Sequence, residues 1–165
     1  MKAEIRILAA LLLGFSSAQG AGAVVFFGPM CHWEFGNQGH HFTWGVEESY
    51  WKLVGSWPLG FDVGFEFGRP GYRIYTEAQA GIVAAGLAAG PVLEFGGGKG
   101  AQWGFQNSLW ANAFLGGDFR WRRVGGTTYH CPGTYLKVPV VTDGIDEYNA
   151  NTESTHHHHF WHWDD

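Results

Sequence analysis

Three groups of residues in this chain have side chains able to do chemistry. The first is a set of ionisable residues spread along the sequence: Glu34, Asp62, Glu66, Arg73, Glu77, Glu94, Asp118, Arg120, Arg122 and Lys137. Carboxylates such as Asp62 and Glu66 could act as a general acid and base. Interleaved with guanidinium groups, however, they are better explained as partners in a network of ion pairs. The second group is Cys31 and Cys131, the only two cysteines. The third is a terminal run, His156, His157, His158, His159 and His162, whose imidazoles are ligands for Zn, Cu or Ni. Adjacent histidines with no surroundings to fix their geometry make a weak, unselective site. Metal there is therefore expected to be adventitious, and no resident cofactor is expected. No recognisable catalytic motif accompanies these groups, so no catalytic residue is assigned.

Whatever positions the ionisable residues is written in the alternation around them. From Trp57 to Gly68, large apolar residues at Trp57, Leu59, Phe61, Val63, Phe65 and Phe67 alternate with Pro58, Gly60, Asp62, Gly64, Glu66 and Gly68. Period two specifies a strand, because successive side chains leave opposite faces of the pleat. One face is uniformly bulky and apolar, and the other is glycine plus carboxylates. The same division recurs elsewhere. Phe27, Cys31, Trp33 and Phe35 oppose Gly28, Met30, His32 and Glu34, and Leu93 and Phe95 oppose Glu94 and Gly96. Phe119 and Trp121 oppose Asp118, Arg120 and Arg122, and Leu136 and Val138 oppose Tyr135 and Lys137. Between Tyr72 and Ala85 the division is weaker. Ala78 to Ala89 alone could form a small-residue helix, which the nearby glycines argue against.

One segment breaks phase. In Phe42 to Val54 the apolar set Phe42, Trp44 and Val46 runs into Glu48 and Lys52, while Trp51 and Leu53 fall on the other side. A β-bulge near Glu47 and Glu48 would restore the alternation, since one extra residue flips the faces beyond it.

Turn signals at Gly36 to Gly39, Gly55-Ser56, Gly68 to Gly71, Ala85-Gly86, Gly96 to Gly100, Gly116-Gly117 and Cys131 to Gly133 separate eight strands. The expected organisation is a leader over 1–23, a barrel over 24–142 and a tail over 143–165. Lys2 and Arg6 ahead of the apolar run Ile7 to Phe15, with small residues at Ala18, Gly20, Ala21 and Ala23, are laid out as a secretory signal peptide. The alternative is a short apolar helix belonging to the folded domain. The barrel segment holds as many bases as acids. The tail carries Asp143, Asp146, Glu147, Glu153, Asp164 and Asp165 with no Lys or Arg, so most of the net charge of -5 lies there. No basic patch recruits nucleic acid.

Eight antiparallel strands with short connections should close into an up-and-down barrel, because an open sheet leaves edge groups unpaired. Its orientation follows from volume. With 17% aromatic residues, 26 glycines and only 15% charged residues, the bulky face would overfill a narrow lumen and leave a glycine-rich, charge-poor exterior. The reverse arrangement fits, with apolar rings outside against lipid and the ten ionisable residues paired inside. The expected fold is thus all-β, a closed eight-stranded transmembrane barrel with the lipid bilayer as its principal partner, and monomeric. A secreted soluble barrel that binds an apolar ligand is the competing reading.

In the export signal, the eight alternating segments and the aromatic residues Trp33, Phe35, Trp44, Trp57, Tyr72, Trp103 and Trp121 near strand ends, the chain resembles the small eight-stranded outer-membrane β-barrel proteins of Gram-negative-type bacteria. The resemblance is architectural. Gly133 to Val138 is similar to the final-strand signal that such proteins present to the barrel-assembly machinery, although here the chain continues past it. The resemblance implies an outer-membrane location and a structural or surface-interaction role. Some members of that group modify lipid A, which raises His40, His41, His130, Ser49 and Ser108 as candidates, but neither serine lies in a recognisable motif. Cys31 near the outer end of the first strand and Cys131 in the last outer loop would lie on neighbouring strands. They either meet as a disulfide or stay as two thiols with Cys31 facing lipid.

Overall fold

The structure is a computed structural model that describes residues 23–141 apart from positions 38, 55, 56, 70, 83, 97, 99 and 113. Nearly all of the expected leader, and the whole 143–165 tail with His156, His157, His158, His159 and His162, lie outside the described residues.

The described chain is strand throughout, and its elements are β1 (Ala23–Gly36), β2 (Gly39–Val54), β3 (Trp57–Gly68), β4 (Gly71–Ile82), β5 (Ala85–Gly96), β6 (Ala101–Ala111), β7 (Leu115–Val124), β8 (Thr127–Leu136) and β9 (Val138–Val141). From β1 to β8 each strand pairs antiparallel with the next. β1 pairs with β2 on one side and with β8 and then β9 on the other, so the sheet closes. β8 and β9 together form one stave, interrupted at Lys137, and the result is an eight-staved up-and-down barrel.

Followed partner to partner, Val25, Tyr50, Phe61, Ala78, Ala89, Asn107, Trp121 and His130 lead back to β1 at Phe35, ten residues beyond the start. Such a stagger goes with strands tilted by about 40° to the axis. One end of the barrel carries the start of β1, the end of β9 and the turns after β2, β4 and β6, and is called proximal below. The distal end carries the turns after β1, β3, β5 and β7.

Alternation decides which side chains enter. The even residues of β1 from Gly28 onward and of β3, β5, β6 and β7, and the odd residues of β2, β4 and β8, point to the lumen. The outside bears rings and branched chains, among them Trp33, Trp44, Trp57, Trp103, Phe105 and Leu87, all exposed. Aromatic pairs line this surface, with Trp44 stacked on Phe67 at 4.9 Å and Tyr72 on Phe95 at 4.8 Å. The possible helix at Ala78 to Ala89 is instead the β4–β5 hairpin, with Ile82 paired to Ala85.

Four sequence expectations are corrected, the first being the turn at Ala85-Gly86, which lies inside β5 with Ala85 paired to Ile82 and Gly86 to Gly81. The bulge at Glu47 and Glu48 is absent. Glu47 pairs with Gly28 and Gly64, and Glu48 with Phe27 and Val63, in unbroken register. With the phase kept, Glu48 and Lys52 stand on the outer face and Trp51 turns inward. The register slip is elsewhere, between β1 and β9 at Val25 and Phe26. The turn expected at Gly116-Gly117 lies at residues 112–114, where Asn112 has φ 67°. That expected at Cys131 to Gly133 lies at Gly125-Gly126, with φ 54° and 85°, the signature of a type I′ hairpin. Two of the glycines mistaken for turns, Gly116 and Gly133, serve close approach. A Cβ on Gly133 would stand 2.1 Å from the His32 ring.

Candidate functional site

The lumen is the site. Seven carboxylates, Glu34, Glu47, Asp62, Glu66, Glu77, Glu94 and Asp118, and four bases, Arg73, Arg120, Arg122 and Lys137, are buried in it. All ten ionisable residues singled out from the sequence therefore lie on the inner face.

Near the distal end the guanidinium groups act as forks. Arg122 reaches in from β7. Its Nη1 lies 2.7 Å from Glu34 Oε1 and 2.8 Å from Glu66 Oε2, its Nη2 donates to Glu66 Oε1 at 3.0 Å, and its Nε donates to Gln106 at 2.7 Å. Arg73 on β4 donates to Glu34 and, through Nε, to Glu94 at 2.5 Å, and it lies over the Tyr129 ring at 5.3 Å. His41 Nε2 is 2.8 Å from the second oxygen of Glu34. Bidentate pairing of this kind is the strong form of a charge-assisted hydrogen bond.

Midway along the axis, Arg120 joins Asp118 at 2.5 Å to Glu47 at 2.8 Å and covers the face of Tyr75 at 4.8 Å. The Tyr75 hydroxyl also donates to Glu47. Its ring fits because Gly64 opposes it across the lumen side of β3, where a Cβ would stand 2.0 Å from the ring. His32 bridges the layers, with Nε2 at 2.9 Å from Asp118 and Nδ1 at 3.4 Å from Glu66.

At the proximal end the composition changes. Glu47, Asp62 and Glu77 each place a carboxylate oxygen within 4.8 Å of the others. A cation could bridge such a group, and here the Lys137 ammonium lies against two of the three, while Arg120 is 4.0 Å from Glu77. The ammonium pairs with Glu47, lies 3.7 Å from Asp62 and donates to Ser49 at 2.6 Å. Gln79 donates to Asp62 at 2.7 Å and Ser108 to Glu77 at 2.5 Å. Trp51 and Trp110 meet edge to face at 5.5 Å beside this layer. Two voids among these side chains are each about 10 Å³, room for roughly one water.

Both cysteines are free. Cys31 pairs with Thr134 and faces outward, whereas Cys131 lies inside β8, fully buried on the lumen side. The two thiols are on opposite faces of the sheet, so the disulfide alternative is ruled out by register parity. The serines raised for catalysis are both lumenal. Ser49 is bonded to Lys137 and Ser108 to Glu77, and among the described residues neither has a histidine hydrogen-bond partner.

Sequence reasoning missed Glu47, His32, His41 and Tyr75 as members of the network. Glu47 was lost to the supposed bulge. Read in unbroken phase, it falls in line with Thr43, Gly45 and Ser49, all buried.

The class defined by this geometry is a closed eight-stranded antiparallel barrel with an apolar exterior and a charged, side-chain-filled interior. No protein-family model matches the chain, and no curated protein is significantly similar to it. Among solved structures it is similar to a chain described as "De novo design of transmembrane beta-barrels", at 11% identity and a TM-score of 0.46, over 73% of this chain and 98% of that one.

Proposed function

We propose that this protein is an integral outer-membrane β-barrel whose lumen is a cross-linked polar plug, with a structural or surface-interaction role and no catalytic one. The observation that carries this reading is the inversion of faces: exposed rings at Trp33, Trp57, Trp103 and Trp121 surround buried Glu34, Glu66, Arg120 and Arg122. In water such a surface is a liability, and in a bilayer it is the stable solution, because a closed barrel satisfies every strand edge. Strands of 10 to 16 residues, β9 aside, suffice for a tilted span. A barrel carrying an apolar ligand would need an apolar interior, and paired carboxylates and guanidinium groups fill this one. The outer membrane is favoured over other bilayers by the export signal read at the N-terminus.

Fractionation and bilayer recording test the proposal. The protein should partition with membranes, need detergent for extraction and migrate differently on gels before and after boiling. In planar bilayers it should give no steady conductance. Recovery in the soluble fraction would overturn the membrane reading, and a stable open level would overturn the plug.

A further inference from the structure

The outer surface is not uniformly apolar. Two strongly polar side chains stand on it away from the strand ends, Glu48 on β2 and Asn107 on β6, and neither has a hydrogen-bond or ion-pair partner among the described residues. Asn107 borders a trough of about 480 Å³ on the outer face of β4 to β6, floored by Ala78, Ala80 and Ala89 and walled by Leu59, Leu87 and Trp121. Small side chains at this place let another surface approach closely. A carboxamide left among lipid chains has neither donor nor acceptor met, which is unfavourable.

We infer that the β4–β6 face is the contact between two copies of this chain, with the Asn107 carboxamides paired across a twofold axis. This rests on the membrane reading above. Two copies inserted in the same sense are related by an axis along the bilayer normal, so a residue on that axis meets its own counterpart at the same depth. A carboxamide is complementary to itself, since each one donates N–H to the other's carbonyl oxygen. Glu48 has the opposite property, because two carboxylates meeting at one depth repel. Of the two unpartnered polar groups, only Asn107 is compatible with the twofold, and it alone lies in a hollow of small residues.

The test is energy transfer between fluorescently labelled full-length copies in phosphatidylcholine vesicles as protein density rises, with vesicle flotation and heat-modifiable migration run in parallel. Transfer should saturate at a dimer. Asn107→Leu should weaken association by roughly three- to thirtyfold and Asn107→Gln by less. Ala89→Phe, which fills the trough, should abolish it, and Glu48→Leu should leave it unchanged. Protein that fails to float refutes the membrane reading itself. Protein that floats but stays monomeric at every density, its trough filled by acyl chains, overturns the dimer alone. A dimer that survives both Asn107→Leu and Ala89→Phe uses another face and also overturns the inference.

Discussion

The two ends of the lumen solve the same problem with different chemistry. Distally, Glu34, Glu66 and Glu94 face Arg73 and Arg122, and each guanidinium holds at least two carboxylates in short, directed bonds. From the middle of the barrel to the proximal end, Glu47, Asp62, Glu77 and Asp118 share Arg120 and Lys137, and the neutral donors Gln79, Ser108 and Tyr75 make up the shortfall. The distal layer depends on forked guanidinium bonds, two guanidinium groups serving three carboxylates. The proximal layer carries surplus acid, dispersed through neutral hydrogen bonds beside the Trp51–Trp110 pair. The same kind of substitution should therefore have unequal consequences at the two ends.

The largest effect should come from Arg122→Met. It leaves Glu34 and Glu66 buried, each short of a principal partner, and breaking such a pair costs about 3 to 5 kcal/mol. Urea unfolding in vesicles, followed by tryptophan fluorescence, should show this loss. Lys137→Met should cost less, about 2 kcal/mol, because Glu47 keeps Arg120 and the Tyr75 hydroxyl. Equal losses at the two ends would show that the layers are not organised differently.

Next comes the packing that separates the layers. In Gly64→Ala the new methyl carbon would meet the Tyr75 ring at 2.0 Å. Overpacking of this kind costs about 1 to 3 kcal/mol. Because the clash is with one ring, the double variant Gly64→Ala/Tyr75→Leu should lose less than the sum of the two single losses. Additive losses would mean that the glycine is required for some other reason.

How much of this could be read from the sequence follows from what each signal depends on. Period-two alternation is local, so the faces of β3 and β7, and with them Asp62, Glu66, Arg120 and Arg122, were legible. Glycine was ambiguous, because the same residue marks a turn at Gly125-Gly126 and a close approach at Gly133, and only the neighbouring strand tells which. Glu47 was hidden because Trp51 looked like a lipid-facing residue. Its inward turn makes sense only beside Trp110, which is distant in sequence. Cysteine pairing failed for a related reason. The neighbouring strands were identified correctly, but whether two residues share a face depends on register parity, which a misplaced turn reverses.

The smallest effect is also the sharpest contrast, because it compares two substitutions that each remove one negative charge and almost no volume. Glu66→Gln in the distal layer takes an anionic acceptor from Arg122, and also lies within reach of Arg73, Arg120 and His32, so it should destabilise by about 2 kcal/mol. Asp62→Asn in the proximal layer keeps an oxygen to accept from Gln79 and lowers the repulsion among three carboxylates whose oxygens lie within 4.8 Å of one another. Its change in unfolding free energy should fall between zero and about 1 kcal/mol in the stabilising direction, since removing a like charge from a buried cluster relieves a cost that neutral donors only partly offset. If Asp62→Asn instead destabilises as much as Glu66→Gln, the Lys137–Asp62 attraction at 3.7 Å outweighs the crowding, and the proximal layer is held by its ion pairs like the distal one.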